Sequence, residues 1–148
     1  MNSLKEFVLL NPLQRASDYF SLGNKIENLC SEGKLSIERT INIAILASST
    51  VHGLKEVIQV LCGELDVLSK IYVGEYNQYA QEIFNPESGL YESSPDLVII
   101  NIDTRAVAGD YFFSPYSISQ DDRRKWVTDT VDLLTNIAEE VTKNITTK

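Results

Sequence analysis

The chain has 148 residues, the usual size of one domain, and this length buries a hydrophobic core without disulfides or metals. Its 21 acidic and 13 basic residues give a formal net charge of −8, which repels nucleic acids and anionic membrane surfaces. Cys30 and Cys62 match no metal or redox spacing, so two reduced thiols in a cytoplasmic protein are expected. No signal peptide is recognisable, and no apolar run approaches the ~20 residues that cross a bilayer. We therefore expect neither nucleic acids nor membranes as partners.

Residues 1–35 are predicted to form a helical N-terminal arm. Apolar side chains recur there at spacings near three and four, which is typical of amphipathic helices. Pro12 and Gly23 interrupt the pattern, so we expect short helices that are broken at these two residues. The arm is expected to pack on an α/β domain that spans residues 36–148.

Strands and helices alternate along this second segment. Residues 41–47 are almost wholly apolar, as in a parallel strand covered on both faces, and an amphipathic helix is predicted over residues 54–65. A second strand is predicted over residues 66–73. The next helix is predicted over residues 76–84, because an Asn-Pro pair follows it.

The last part of the chain is predicted to hold a strand, a loop and a helix. Residues 97–102 form a third apolar strand, and residues 104–118 form a long loop with aromatic side chains. A long helix then begins after Ser119, with acidic residues in its first turn. This order predicts an α/β fold with a three-layer architecture, in which a parallel sheet carries helices on both faces. Three strands make a small sheet, so the domain is either minimal or incomplete.

Hydroxyl side chains follow the first strand, where parallel strands of an open sheet present their carboxyl ends to ligands. Ser48 and Ser49 stand there beside Thr50, with His52 two residues further on. A serine and a histidine so close in sequence rarely reach the geometry of a catalytic triad. The simpler interpretation is that Ser49 or Thr50 caps the next helix.

Polar residues also follow the third strand. Asn101, Asp103 and Arg105 are candidate ligand-binding residues, although Asp103 alternatively caps the next turn and pairs with Arg105. We expect this strand end to lie beside Ser48 and Ser49. Together with the aromatic loop over residues 106–116, they are predicted to form the binding surface.

The middle of the chain carries motifs in an ordered spacing that resembles the N-terminal region of FkbH-like proteins. The resemblance covers roughly residues 38–105. Its motifs, in chain order, are Glu75-Tyr76-Asn77-Gln78-Tyr79, Glu82-Ile83, Asn85-Pro86, Ser88-Gly89-Leu90-Tyr91 and Pro95-Asp96-Leu97-Val98. In these proteins a haloacid-dehalogenase-type (HAD) domain follows the region.

That N-terminal region is similar in fold to SGNH (GDSL-type) hydrolases, so the resemblance implies a flavodoxin-like or SGNH-like sheet. It also implies that Ser48 occupies the position of the nucleophile, with Thr50 matching a threonine two residues on. However, Leu46-Ala47 stands in place of the Gly-Asp pair of that motif. The late Asp-x-x-His motif, which supplies the acid and the base, has no counterpart in these residues.

The resemblance to FkbH-like proteins implies a role in polyketide-type biosynthesis. In that role a three-carbon glyceryl unit is loaded from a phosphorylated glycerate onto a carrier-protein thiol. The phosphate chemistry belongs to the HAD domain. We therefore expect a non-catalytic or catalytically incomplete domain that binds a HAD-type domain or an acyl carrier protein. The alternative is an SGNH-type serine esterase or acyltransferase that uses Ser48. The sequence predicts no cofactor and no metal site, and it leaves open the oligomeric state and whether the chain is a fragment of a longer protein.

Overall fold

The computed structural model describes residues 3–114 and 116–146, and these residues form an α/β fold with a parallel three-stranded sheet. The strands are β1 (Arg39–Ala47), β2 (Val67–Val73) and β3 (Leu97–Asn101), and their order in the sheet is β2-β1-β3. The predicted fold class and all three predicted strands are confirmed.

Helices flank this sheet and contain most of the remaining residues. In chain order they are α1 (Leu4–Leu9), α2 (Ala16–Ser31), α3 (Leu54–Glu64), α4 (Tyr79–Phe84), α5 (Gly89–Glu92), α6 (Thr104–Ala108), α7 (Asp110–Phe113) and α8 (Gln120–Thr146). Among the described residues, none of these helices is both long and apolar enough to cross a membrane.

The chain divides into two compact units. Of the described residues, those within Met1–Ala44, Val51–Val73 and Pro95–Val98 form the first unit. Those within Ile45–Thr50, Gly74–Ser94 and Ile99–Lys148 form the second. The predicted division of the sequence into a helical arm over residues 1–35 and an α/β domain over residues 36–148 stays a prediction.

The first unit is built around buried apolar side chains of α1, α2 and α3. Its core residues are Leu4, Val8, Leu22, Ile26, Leu35 and Val60. The predicted break at Gly23 is wrong, because α2 runs through this residue without interruption. Gly23 instead lets α2 approach α3 closely, since a Cβ atom there would lie 2.8 Å from Cβ of Glu56. A glycine inside a helix thus serves packing rather than helix termination.

The second unit contains the long helix α8, which packs against α4. Ser119 Oγ accepts a hydrogen bond from the Asp122 amide at 3.1 Å, which is the predicted cap at the start of α8. Near the other end of the helix, the Tyr91 hydroxyl donates to the Ile83 carbonyl at 2.7 Å and accepts from Asn144 Nδ2 at 3.3 Å. Burial of the Tyr91 phenol raises its pKa.

Two predicted segments differ from the structure. The helix predicted over residues 76–84 begins only at Tyr79, because Asn77 adopts a left-handed backbone conformation with φ of 56°. Residues 104–118, predicted as a loop, contain the short helices α6 and α7, and Gly109 separates them with φ of 53°. Pro115 of this segment lies outside the described residues.

Candidate functional site

The carboxyl ends of the three strands lead into short segments of the second unit. Backbone hydrogen bonds tie these segments to β1. The amides of Gly74 and Asn77, after β2, donate to the carbonyls of Ile45 and Ala47 at 2.9 and 3.0 Å. The Ser48 amide donates to the Asn101 carbonyl of β3 at 3.0 Å. Three segments that are far apart in sequence are thus held together.

These segments line a cavity of about 470 Å³, which we call the polar cavity. Its lining residues are Ser48, Ser49, Thr50, Tyr76, Asn77, Asp103, Arg105 and Ala106. Four of the five predicted site residues therefore meet there. Asn101 does not line the cavity, and its contribution is the backbone carbonyl that holds Ser48 in place.

Asn77 is a cavity residue that was not among the predicted site residues. It follows the second strand, so the rule that ligands bind at strand carboxyl ends applied to it as much as to Ser48. The signal in the sequence was the polar run after Val73, which begins with Gly74. A Cβ atom on Gly74 would lie 2.6 Å from Cδ2 of Leu46, so a glycine lets this segment approach β1 closely.

Ser48 is only 5% exposed, and its hydroxyl oxygen accepts a hydrogen bond from the Asp103 amide at 2.7 Å. An amide that donates to a serine oxygen engages its lone pair and does not remove its proton. A nucleophilic serine also needs a base that accepts the hydroxyl proton, and the residues that line the cavity include no histidine and one carboxylate, Asp103. The observed bond links the ends of β1 and β3 through Ser48.

Asp103 is held by Arg105. The guanidinium contacts both carboxylate oxygens, with distances of 2.6 to 3.1 Å, and the Arg105 amide donates to Oδ1 at 2.8 Å. These hydrogen bonds lower the pKa of Asp103 to about 2 and raise the pKa of Arg105. A carboxylate with such a low pKa is a weak general base. Asp103 also caps α6, which matches the simpler of the two sequence interpretations.

The capping role proposed for Ser49 or Thr50 is wrong. The residue before α3 is Gly53, and no side chain caps the helix there. Gly53 has φ of 82°, a conformation that favours glycine, and a Cβ atom would collide with the Phe20 ring. The imidazole of His52 packs edge-on against the same ring, with centroids 6.1 Å apart.

The aromatic side chains of the predicted binding surface differ in their exposure to solvent. Phe112 is 47% exposed, Phe113 76% and Tyr116 89%, while Tyr111 packs edge-on against Trp126 of α8 with centroids 5.8 Å apart. Tyr111, Phe112, Phe113 and Tyr116 are called the aromatic segment below. Within residues 3–114 and 116–146, no group of three or more His, Cys, Asp or Glu residues is placed to hold a metal ion.

Comparison with known proteins gives a family and a fold. The family model for the FkbH N-terminal domain matches residues 42–147. The fold is similar to a crystal structure of the N-terminal part of the protein BF1531 from Bacteroides fragilis, with a TM-score of 0.59 at 18% identity. That structure is described as containing a phosphatase domain complexed with Mg. The match covers 93% of this chain and 30% of that one, so this chain spans less than a third of it. No curated protein matches the sequence.

Proposed function

Because the chain belongs to the FkbH N-terminal domain family, we propose that it acts as a non-catalytic binding domain of an FkbH-like protein. The binding surface consists of the polar cavity and the aromatic segment, which follows the cavity residues Asp103, Arg105 and Ala106 in sequence, and both lie in the second unit. Its partner is a HAD-type domain. The domain thereby contributes to loading of a glyceryl unit for polyketide-type biosynthesis, while the phosphate chemistry takes place on the partner.

The observation that carries this proposal is the hydrogen bond from the Asp103 amide to the Ser48 hydroxyl oxygen. This bond engages the best candidate nucleophile in a link between the ends of two strands, which supports a structural role for Ser48. The nearest carboxylate in the cavity, Asp103, is already bound by Arg105 and has a pKa of about 2. The cavity thus lacks the base that an SGNH-type esterase requires, which favours binding over catalysis.

Charge and exposure favour a HAD-type domain as the partner. The net charge of −8 disfavours docking of an acidic carrier protein. Exposed aromatic side chains such as Phe113 supply large contact areas and are enriched at protein interfaces. The structurally similar Bacteroides protein is described as containing a phosphatase domain, which is consistent with a partner of this kind in the same polypeptide.

Ester hydrolysis tests the non-catalytic part of the proposal. Turnover of p-nitrophenyl acetate is measured for the wild type, for Ser48→Ala and, as a matched control, for Ser49→Ala. We expect all three rates to equal the buffer background, because no base activates the serine. Turnover well above background that is lost only in Ser48→Ala would replace the binding domain with the esterase or acyltransferase.

Titration of a labelled HAD domain from an FkbH-like protein tests the partner. We expect the double variant Phe112→Ala, Phe113→Ala to weaken binding by about tenfold or more, because both rings lose contact area. The control is Leu9→Ala, Leu10→Ala, which removes two similarly exposed side chains from the first unit and leaves the affinity unchanged. Equal affinities for wild type and the phenylalanine variant, with both proteins folded by circular dichroism, exclude the aromatic segment from the interface.

A further inference from the structure

Several hydrogen-bond donors of the polar cavity have no acceptor among residues 3–114 and 116–146. A guanidinium has five N–H donors, and the bonds from Arg105 to the Asp103 carboxylate engage Nε and one N–H of Nη2. The other N–H of Nη2 and both of Nη1 are left over. The Ser48 hydroxyl accepts from the Asp103 amide, and its own proton also finds no acceptor within those residues.

The one carboxylate that lines the cavity is, by contrast, fully occupied. Oδ1 of Asp103 accepts from the amide and from Nε of Arg105, and Oδ2 accepts from Nε and Nη2. Two hydrogen bonds fill the lone pairs of each oxygen. The Arg105 side chain is 64% exposed and the Asp103 side chain 26%, so the cation is the more accessible member of the pair. A ligand in the cavity therefore finds free donors beside a carboxylate that is already bonded.

We propose that the polar cavity binds a carboxylate group, carried by a small acid or by an acidic side chain of a protein. The proposal rests on the proposed function, in which this cavity binds and does not catalyse, and it adds the chemical class of what is bound. The two carboxylate oxygens pair with the Nη1 and Nη2 side of Arg105, since a planar guanidinium matches them in a bidentate way. The Ser48 hydroxyl is a further donor in the same cavity.

The charge of the cavity favours a carboxylate over a phosphate. Among the described lining residues, Arg105 is the one cation and Asp103 the one anion, so the lining is neutral overall. A phosphate group carries about −1.5 to −2 charges at pH 7, whereas a carboxylate carries a single charge. The net charge of −8 repels the more highly charged ion more strongly. The cavity volume of about 470 Å³ is within the usual range for small-molecule sites.

A titration of the ¹⁵N-labelled 148-residue chain at constant ionic strength tests the ligand class. The probe is glycolate, and its control is glycolamide, which has a similar shape and no charge. We expect glycolate to shift the amide resonances of Ser48, Asn77 and Asp103 saturably, with a Kd in the millimolar range because an exposed ion pair is weak. Glycolamide should bind about tenfold more weakly, because it lacks the charge-assisted hydrogen bonds. Equal affinities for the two probes would overturn the proposal.

Variants of the ion pair should change glycolate affinity in opposite directions. Arg105→Gln removes the cation and is expected to weaken binding about fivefold or more. Asp103→Asn keeps a good cap for α6 and frees the guanidinium from its counter-ion, so binding is expected to tighten about threefold. Arg124→Gln removes the same charge from an exposed arginine of α8 that does not line the cavity, and it should have no effect.

A purely structural role of the ion pair would weaken binding in both Arg105→Gln and Asp103→Asn, and that result would overturn the proposal. Circular dichroism checks that all variants fold. Inorganic phosphate is titrated in the same way. Tighter binding of phosphate than of glycolate would contradict the assignment to a carboxylate.

Two peptides identify the source of the carboxylate, acetyl-Gly-Glu-Gly-amide and its control acetyl-Gly-Gln-Gly-amide. Binding of the glutamate peptide as tightly as glycolate, with no binding of the glutamine peptide, assigns the cavity to an acidic side chain of a protein. Binding of glycolate alone assigns it to a free small acid. Titration of the HAD domain separates this proposal from the proposed function. If the HAD domain binds and glycolate does not, only the carboxylate site is removed, and the reverse result removes only the HAD partner.

Discussion

Helices α2 and α8 are both amphipathic, yet their apolar residues have different surroundings. In α2, Leu22 and Ile26 are at most 3% exposed and belong to the core of the first unit. In α8, Ile137 is equally buried, but Val127 and Val131 are at least 50% exposed. The same sequence period thus gives buried core residues in α2 and a partly uncovered apolar face in α8. An apolar stripe shows which face of a helix seeks a partner, and it does not show whether that partner is present.

The largest expected effect tests the contrast between the two helices directly. Ile26→Ala removes a side chain with 0% exposure and should lower the free energy of unfolding by about 2–5 kcal/mol, because it leaves a cavity. Val131→Ala, on the exposed side of α8, should change it by less than about 0.5 kcal/mol. Urea denaturation measures both. Similar losses for the two variants would mean that the exposed face of α8 is covered in solution.

The second effect concerns the strand ends of the second unit. Ser48→Ala leaves the Asp103 amide without its partner in a partly buried position, and we expect a loss of about 1–2 kcal/mol. Ser49→Ala is the control, since no hydrogen bond of the Ser49 side chain is found among the described residues, and it should be close to neutral. A neutral result for Ser48→Ala in urea denaturation would show that packing of β1 and β3, rather than this hydrogen bond, holds the ends together.

A smaller effect is expected at Gly23, where α2 approaches α3. Alanine favours a helix over glycine by about 1 kcal/mol, but its Cβ atom would lie 2.8 Å from Cβ of Glu56. Because overpacking typically costs about 1–3 kcal/mol, we expect Gly23→Ala to be destabilising by about 1 kcal/mol overall. Thermal unfolding measures this. A stabilised variant would contradict the close packing of the first unit.

The smallest effect depends on pH. The pKa of Asp103 is lowered to about 2 by Arg105, so its ionised form is favoured in the folded protein. This contribution is fully present above the ordinary carboxyl pKa near 3.8 and is lost as the pH falls through about 2. Wild type should therefore be more stable than Asp103→Asn above pH ~4, with the difference shrinking below it. A pH-independent difference in urea midpoints would mean that Asp103 is not held by Arg105.

Strands that are buried on both faces have continuous apolar runs in their sequence, as in residues 41–47. The three strands of the sheet could therefore be predicted from the sequence. The sequence also predicted that Ser48, Asp103 and Arg105 lie close together, because the carboxyl ends of parallel strands share one edge of the sheet. The sequence analysis failed at Gly23 and at the start of α3, because Gly23 and Gly53 pack closely against Glu56 and Phe20, which are distant from them in sequence. Periodicity reports which elements are buried and contains no information on such tertiary contacts.

The sequence analysis also failed for residues 104–118, where it predicted a loop. The helices α6 and α7 in this segment are too short to show a helical period. A helix of four or five residues gains little from propensity and forms because its neighbours hold it. Asn77 was not predicted as a cavity residue for a related reason, since its amide is attached to the Ala47 carbonyl of a strand far away in sequence. Local sequence does not reveal that attachment.

The hydrogen bond between Ser48 and Asp103 has a consequence for folding kinetics. It joins residues 55 positions apart, so the intervening chain must be ordered before it forms. Contacts of such long sequence separation are costly to close early, and we expect this one to be absent from the folding transition state. Its loss would then leave the folding rate nearly unchanged and speed unfolding. The hydroxyl of Ser48 would thus contribute to slow unfolding, and so to the lifetime of the native state.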